Sequence, residues 1–282
     1  MSLATLDPEM AIRLLALSLL VLGGAVGSFL NVVVYRLPAG MSLITPGSHC
    51  PWCKHPIRWF DNVPVLGWIL LRGHCRDCRE PIAIRYPLVE AVTGGLFLLL
   101  GICEPLSGGA NLPPPVLIWM TQLWGIYAYH LLLLCTLLAA ALIQYDGHQS
   151  PWRLFLPALI VGLLAPAPWP MLHPVAAGPA AGETWVGIVD GLAGLVVGLL
   201  FGRLASGRQG DRGLVASCAC VGAMLGWQAV CPLAVLTAAI DGLFQVATRR
   251  RPELRRVPAV AWLLLLTLAW ILAWGYLVRM LT

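Results

Sequence analysis

Four cysteines carry the plainest chemistry in this chain. They stand as Cys50-Pro-Trp-Cys53 and Cys75-Arg-Asp-Cys78, two C-x2-C pairs separated by residues 54–74. Each pair sets two thiolates on one tight turn. Two such pairs complete a tetrahedral Zn²⁺ site with no coordination position left for a substrate, so the site is structural. The module around it has no apolar core of its own, and the metal would supply most of its folding energy. Two disulfides are the alternative, and a reducing compartment disfavours them. Cys103, Cys135, Cys218, Cys220 and Cys231 lie in or at the ends of apolar runs and read as small packing residues.

Acids come next, because there are only 13 Asp and Glu in 282 residues. Asp146 and Asp211 stand at the edges of apolar runs, and Asp190 and Asp241 inside them, each of the latter two followed by glycine. Asp146 and Asp211 read plainly as interfacial acids at helix ends, held by water and the helix dipole. An acid within a membrane span usually faces a bundle interior or a watery cavity. Asp190 and Asp241 therefore read either as part of a proton or substrate path or as protonated acids bonded to a neighbouring helix. His130 and His148 have no metal-ligand companion at helical spacing and read as structural.

The elements that must position these groups are membrane helices. Hydrophobic residues make up 59% of the chain and charged residues 11%, with a mean hydropathy of +0.81. A soluble domain carries about 25% charged residues, and a chain this poor in charge satisfies its backbone in lipid as bundled helices. Apolar runs cover roughly 10–36, 86–103, 124–145, 153–168, 185–204, 213–229, 231–247 and 257–279. This predicts an all-α polytopic membrane protein of about eight transmembrane helices. Pro166, Pro168 and Pro170 crowd the end of the fourth run. Residues 1–36 are the first transmembrane helix, without a small-x-small cleavage site. Residues 37–85 form a loop with the four-cysteine module, and 86–282 a bundle of about seven helices. Gly191, Gly194 and Gly198 in the fifth run would allow close helix approach. No internal repeat is evident.

Basic residues fall in alternate loops. Lys54, Arg58, Arg72, Arg76 and Arg79 occupy the first, Arg203, Arg208 and Arg212 a later one, and Arg249, Arg250, Arg251, Arg255 and Arg256 another. The loops near 104–123 and 169–184 have no Lys or Arg. The positive-inside rule makes the basic loops cytoplasmic and both termini external, which requires an even number of spans. The net charge of +5 is too small to argue for nucleic acid, and the partner it implies is the lipid bilayer.

One dense stretch resembles a known family. Gly27-Ser-Phe-Leu-Asn-Val-Val-Val-Tyr-Arg-Leu-Pro38 is similar to the opening motif of the bacterial type IV prepilin peptidases. Pro46-x-Ser48-x-Cys50-Pro51-x-Cys53 follows, then Ile57-x-Trp59-Phe-Asp-Asn-Val-Pro-Val-Leu66-x-Trp68. Leu71-Arg-Gly73-x-Cys75-Arg76-x-Cys78 and Ile82-x-x-Arg85-Tyr-Pro-Leu-Val-Glu90 complete it. The resemblance implies an inner-membrane protein of eight spans that cuts the leader from prepilins or pseudopilins. It also implies methylation of the new N-terminus from S-adenosylmethionine, with Glu90 a candidate for that step.

The same resemblance implies two catalytic aspartates, and neither falls in place. The first family position lies seven residues before a proline, and counting back from Pro151 lands on Gln144. The second lies thirteen before a Gly-Trp tryptophan, and counting back from Trp227 lands on Leu214. Asp146 lies two residues beyond the first position, and Asp211, in Gly210-Asp211, three before the second. Two functions follow: a prepilin-processing enzyme that uses these substitute acids, or a degenerate relative that binds prepilin-like helices without cleaving them. An unrelated transporter with a zinc-stabilised loop would leave the motif match unexplained.

Overall fold

The computed structural model describes residues 7–112, 119–169, 172–173, 184–207, 210–249 and 257–281. Nine α-helices are described: α1 (Pro8–Arg36), α2 (Leu66–Leu70), α3 (Arg85–Gly101), α4 (Met120–Tyr145), α5 (Leu156–Leu164), α6 (Thr184–Ala205), α7 (Arg212–Leu225), α8 (Trp227–Ala247) and α9 (Ala259–Leu281). Among the described residues there is no strand, only the isolated bridges His49–Pro56 and His74–Pro81. The chain forms two compact units, Met1–Gly109 and Ala110–Thr282.

Apart from α2, one helix answers each of the eight apolar runs. Six are long and apolar enough to cross a membrane: Glu9–Arg36, Arg85–Leu106, Met120–Tyr145, Val186–Ala205, Trp227–Ala247 and Ala259–Leu277. The chain is thus a multi-pass membrane protein, with six helices of spanning length among the described residues where about eight were expected. The fourth and sixth runs fall short for local reasons. Helix α5 has 9 residues, about 14 Å of rise against a hydrocarbon core of about 30 Å. Its first turn holds Pro157, and Pro166 and Pro168 follow it. Helix α7 has 14 residues, because Gly226 at φ +83° breaks the run and α8 restarts at Trp227. Arg208 and Arg250, Arg251, Arg255 and Arg256, on which the charge alternation partly rests, lie outside the described residues.

In the first unit α1 packs along α3 through small residues. A Cβ on Gly23 would stand 2.7 Å from that of Phe97, and one on Gly27 2.7 Å from the Cα of Glu90. Such contacts bring two backbones together where lipid offers no hydrophobic drive between helices. In the second unit α4 is the central helix, with Leu133, Leu134, Leu137, Ala139, Ala140 and Ile143 fully buried. Helix α7 is equally internal, with Cys218, Cys220, Val221, Ala223 and Met224 at 0% exposure. Helix α6 meets α7 glycine to glycine. A side chain on Gly194 would strike the Gly222 carbonyl and one on Gly198 the Cys218 carbonyl, while toward α5 one on Gly191 would stand 3.2 Å from the Gly162 carbonyl. Cys135, Cys218 and Cys220 are buried and Cys103 and Cys231 half-buried, all as free thiols. His130 is buried edge-on to Trp274 at 5.6 Å.

Candidate metal centre and acidic site

The metal centre is built by two equivalent knuckles. In the first, Cys50 N–H donates to His55 O (2.9 Å) and Lys54 N–H to Cys50 O (3.0 Å). In the second, Cys75 N–H donates to Glu80 O (2.8 Å) and Arg79 N–H to Cys75 O (3.1 Å). Lys54 and Arg79 both take the left-handed conformation, at φ +61° and +63°. His49 Nδ1 contacts Gly47 O and His74 Nδ1 contacts Arg72 O in the same way. Behind this lies a short internal repeat, His49-Cys-x-x-Cys-Lys-x-Pro-Ile57 and His74-Cys-x-x-Cys-Arg-x-Pro-Ile82, where none was expected because each copy covers a single hairpin.

The knuckles face each other. The four sulfurs lie within 4.8 Å of one another, with Cys50–Cys78 at 3.8 Å and Cys53–Cys75 at 4.0 Å. Four Zn–S bonds of ~2.3 Å in a tetrahedron place the sulfurs ~3.8 Å apart. The donor set and spacing therefore fit a metal ion such as zinc. The backbone N–H groups of Cys53 and Trp52 draw the Cys50 thiol down to about 7 against the effect of burial. At the other two shifted thiols the backbone N–H groups are outweighed by burial and the adjoining sulfurs, so that Cys53 is pushed up and Cys78 rises to about 12. The cluster by itself favours the thiolate at Cys50, and a bound cation would be needed to ionise Cys53 and Cys78.

Polar contacts tie the rest of the module together. Arg76 grips Asp61 with two donors, Nε at 2.7 Å and Nη2, and its guanidinium holds the Asp61 carboxyl below the usual range. Trp68 Nε1 donates to Ile82 O (2.9 Å), and Arg58 pairs with Asp77 at 3.3 Å. Glu90, half-buried on α3, accepts the Val65 N–H at 2.7 Å. A cavity of about 620 Å³ lies between α1, α3 and the module, with Asn31, Tyr35, Asp61, Trp68, Tyr86 and Glu90 on its wall.

The acidic site lies in the second unit, where two helix ends meet. Helix α4 stops at a Schellman turn: Gly147 sits at φ +79°, Gly147 N–H donates to Gln144 O and His148 N–H to Ile143 O. This fixes Gln144 in the last turn. Helix α7 starts at Asp211, whose Oδ1 caps it by accepting from Gly213 N–H (2.9 Å) and Leu214 N–H (3.2 Å). The same Oδ1 accepts a third bond, from Gln144 Nε2, at 2.8 Å. Gly213 makes the approach possible, since any side chain there would collide with the Gln144 amide. Gln144 Oε1 is buried without a donor among the described residues.

The remaining candidates are placed differently. Leu214 is 2% exposed in the bundle core, and it touches the site only through its N–H. Asp146 caps the C-terminus of α4 and is exposed. Asp241 on α8 accepts from Gln245 at 2.6 Å, one turn along, and lies within electrostatic reach of Asp211. Asp190 is buried in α6, near His173. The residue that faces position 144 is thus Asp211, one helical turn before the position counted from Trp227. A signal for it was present: an aspartate directly preceding an apolar helix is a capping residue, which locates a helix start more firmly than a count taken from the far end.

Comparison with known proteins now decides the family. Residues 21–103 match the family profile described as the Bacterial Peptidase A24 N-terminal domain. The prepilin leader peptidase/N-methyltransferase of Klebsiella pneumoniae is 37% identical over 229 residues, covering 74% of this chain and 84% of that one. The chain belongs to the prepilin leader peptidase/N-methyltransferase family. The Aeromonas hydrophila protein of that name is 32% identical over 282 residues, covering 89% and 87%. A type 4 prepilin-like proteins leader peptide-processing enzyme from Escherichia coli is 31% identical over 247 residues, covering 81% and 83%. No solved structure matches the chain. The profile match takes in the second half of α1, the cysteine module and α3, and the similarity to the relatives extends well beyond it.

Proposed function

We propose that this chain handles the N-terminal segments of type IV prepilins or pseudopilins in the bacterial inner membrane, binding and N-methylating them, with leader cleavage disabled at Gln144. The observation that carries the second clause is the 2.8 Å bond from Gln144 Nε2 to Asp211 Oδ1. Asp211 has a partner group where a hydrolytic pair needs a second carboxylate, and that partner is an amide. An amide cannot take the proton from a water, and it cannot share one with Asp211. Asp211 retains the part it can play alone: Oδ1 is held by three donors, and Oδ2 remains to meet a water or the substrate backbone.

The metal is proposed to be zinc, held by Cys50, Cys53, Cys75 and Cys78 as a closed structural site. The methyl donor, S-adenosylmethionine, would supply a methyl group on a sulfonium cation. The first unit's cavity suits such a ligand in size. It presents the carboxylate of Glu90 and the rings of Tyr86 and Trp68, the group types that meet a cation; Asp61, also on its wall, is held by Arg76. Basic-loop alternation supports a cytoplasmic side for the module. The substrate would be an apolar helix entering from that side.

The test uses purified protein in detergent with several prepilins, reading the precursor-to-mature shift by mass spectrometry. No cleavage is expected, whereas a substrate supplied already cleaved should gain 14 Da. Binding of S-adenosylmethionine is read separately by equilibrium dialysis. Robust cleavage by the unaltered chain, abolished by Asp146→Asn or Asp211→Asn, would establish instead a working peptidase with relocated acids.

A further inference from the structure

The first unit contains its own depth gauge. Helix α3 with the π turn that extends it, Arg85–Leu106, has 22 residues, about 33 Å of rise. The hydrocarbon core is about 30 Å thick. A span with so little to spare has to enter the hydrocarbon at Arg85, and any tilt uses up what is left. Glu90 is five residues on, about 7.5 Å further in.

The cysteine module reaches down to that depth. Val65 N–H donates to the Glu90 carboxylate at 2.7 Å. On α1, a Cβ on Gly24 would stand 3.1 Å from the Cβ of Pro64 and 4.0 Å from Glu90 O. The segment that makes these contacts is Val63-Pro-Val-Leu-Gly-Trp-Ile-Leu-Leu71, without a charged or hydrogen-bonding side chain except Trp68. Its outer face is bare: Leu66 is 56% exposed, Ile69 56% and Leu70 75%. On α3 the apolar side chains on either side of Glu90, Leu88 (60%) and Val92 (45%), are likewise exposed. Arg58 precedes the segment and Arg72 follows it, cations suited to the headgroup layer.

We propose that residues 63–71 are a re-entrant element of the membrane, inserted into the leaflet beside the cysteine module, with lipid acyl chains covering Leu66, Ile69 and Leu70. Irregular backbone at such depth is tolerated only where protein satisfies its polar groups. Here Val65 N–H is satisfied by Glu90, Leu66 N–H by Pro64 O and Gly67 N–H by Val63 O, and Pro64 brings no N–H. Val65 sits at φ +61°, a conformation a β-branched residue adopts only when its surroundings impose it. Glu90 is therefore the anchor of the turn, a positioning residue whose carboxylate holds Val65.

The experiment places a nitroxide, through a ketone-bearing amino acid, at Leu66, Ile69 or Leu70 of the full chain in phosphatidylcholine–phosphatidylglycerol vesicles. Power saturation compares collision with oxygen, which concentrates in lipid, against chromium(III) oxalate, which stays in water. Labels at Leu88 and Val92 serve as lipid references and labels at His55 and Asp77 as aqueous ones. All three test sites should follow the lipid references, with oxygen collisions several-fold above those of the oxalate complex. A chromium preference at the three sites would place the segment in water, and exclusion of both reagents would mean that protein covers it. Either result overturns the proposal. In Glu90→Ala, with zinc retained by metal analysis, the label at Leu70 should move toward the aqueous pattern. No movement would overturn the anchoring role.

Discussion

The two units hold their chemistry by opposite means. In the first, the groups that meet are close in sequence: each cysteine pair lies on one tight turn, and polar contacts such as Arg76–Asp61 and Trp68–Ile82 finish the module. In the second, the decisive contact joins Gln144 to Asp211 across 67 residues, and it exists because glycines let backbones come together. A local site of the first kind is set by spacing and lost with its metal. A site of the second kind is set by helix packing, and its chemistry turns on one side chain at a prepared position.

The largest effect expected is in the first unit. Cys50→Ser leaves three sulfurs and removes most of a metal-binding free energy of about 10 kcal/mol or more. Metal analysis should fall from one zinc per chain to little or none, with the module opening to proteolysis while the second unit stays folded. Zinc content unchanged in this variant would show that the four-sulfur centre is misassigned.

Next comes the second unit's chemistry. Gln144→Glu, the isosteric change, sets a carboxylate oxygen where the Gln144 amide now meets Asp211, and the two can then share a proton. Cleavage should rise about 10²- to 10⁴-fold over the unaltered chain and follow a bell-shaped pH profile that belongs to the pair. Asp211→Asn on top of it should erase the gain. If instead cleavage needs Leu214→Asp as well, the register counted from Trp227 is the operative one and the observed pairing is not.

A smaller effect should separate the units cleanly. Gly194→Ala drives a methyl into the Gly222 carbonyl, backbone against backbone, so α6 and α7 have to part. Destabilisation of about 1–3 kcal/mol is expected, read as a lower melting temperature at unchanged zinc content. A loss of zinc alongside would mean that the damage is not confined to the α6–α7 contact.

The smallest effect concerns the Asp61–Arg76 pair. Its carboxyl titrates below the usual range when folded, so its contribution is present above the unfolded pKa of about 3.9. That contribution fades as pH falls through the lower folded value. Asp61→Asn should therefore be slightly less stable than the parent near neutrality, with the gap closing in acid. The gap is small because Arg76 is 43% exposed and screened. A difference that widens in acid would give the pair the wrong sign.

The sequence by itself determined what depends on local spacing and bulk composition. Two C-x2-C turns name their ligands because each needs only a few consecutive residues. Helical membrane architecture follows from 11% charged residues, since backbone in lipid has few other solutions. Tertiary structure alone decided the rest. Whether an apolar run makes a spanning helix turned on prolines around α5 and on Gly226 at φ +83°, which a hydropathy pattern does not weigh. Position 144 met Asp211 and left Leu214 in the core because Asp211 caps α7 from outside its first turn, whereas Leu214, about 4.5 Å further along the axis, is already within the buried helix. Glu90 joined Val65 because the module folds back against α1 and α3, a contact that no spacing along the chain announces.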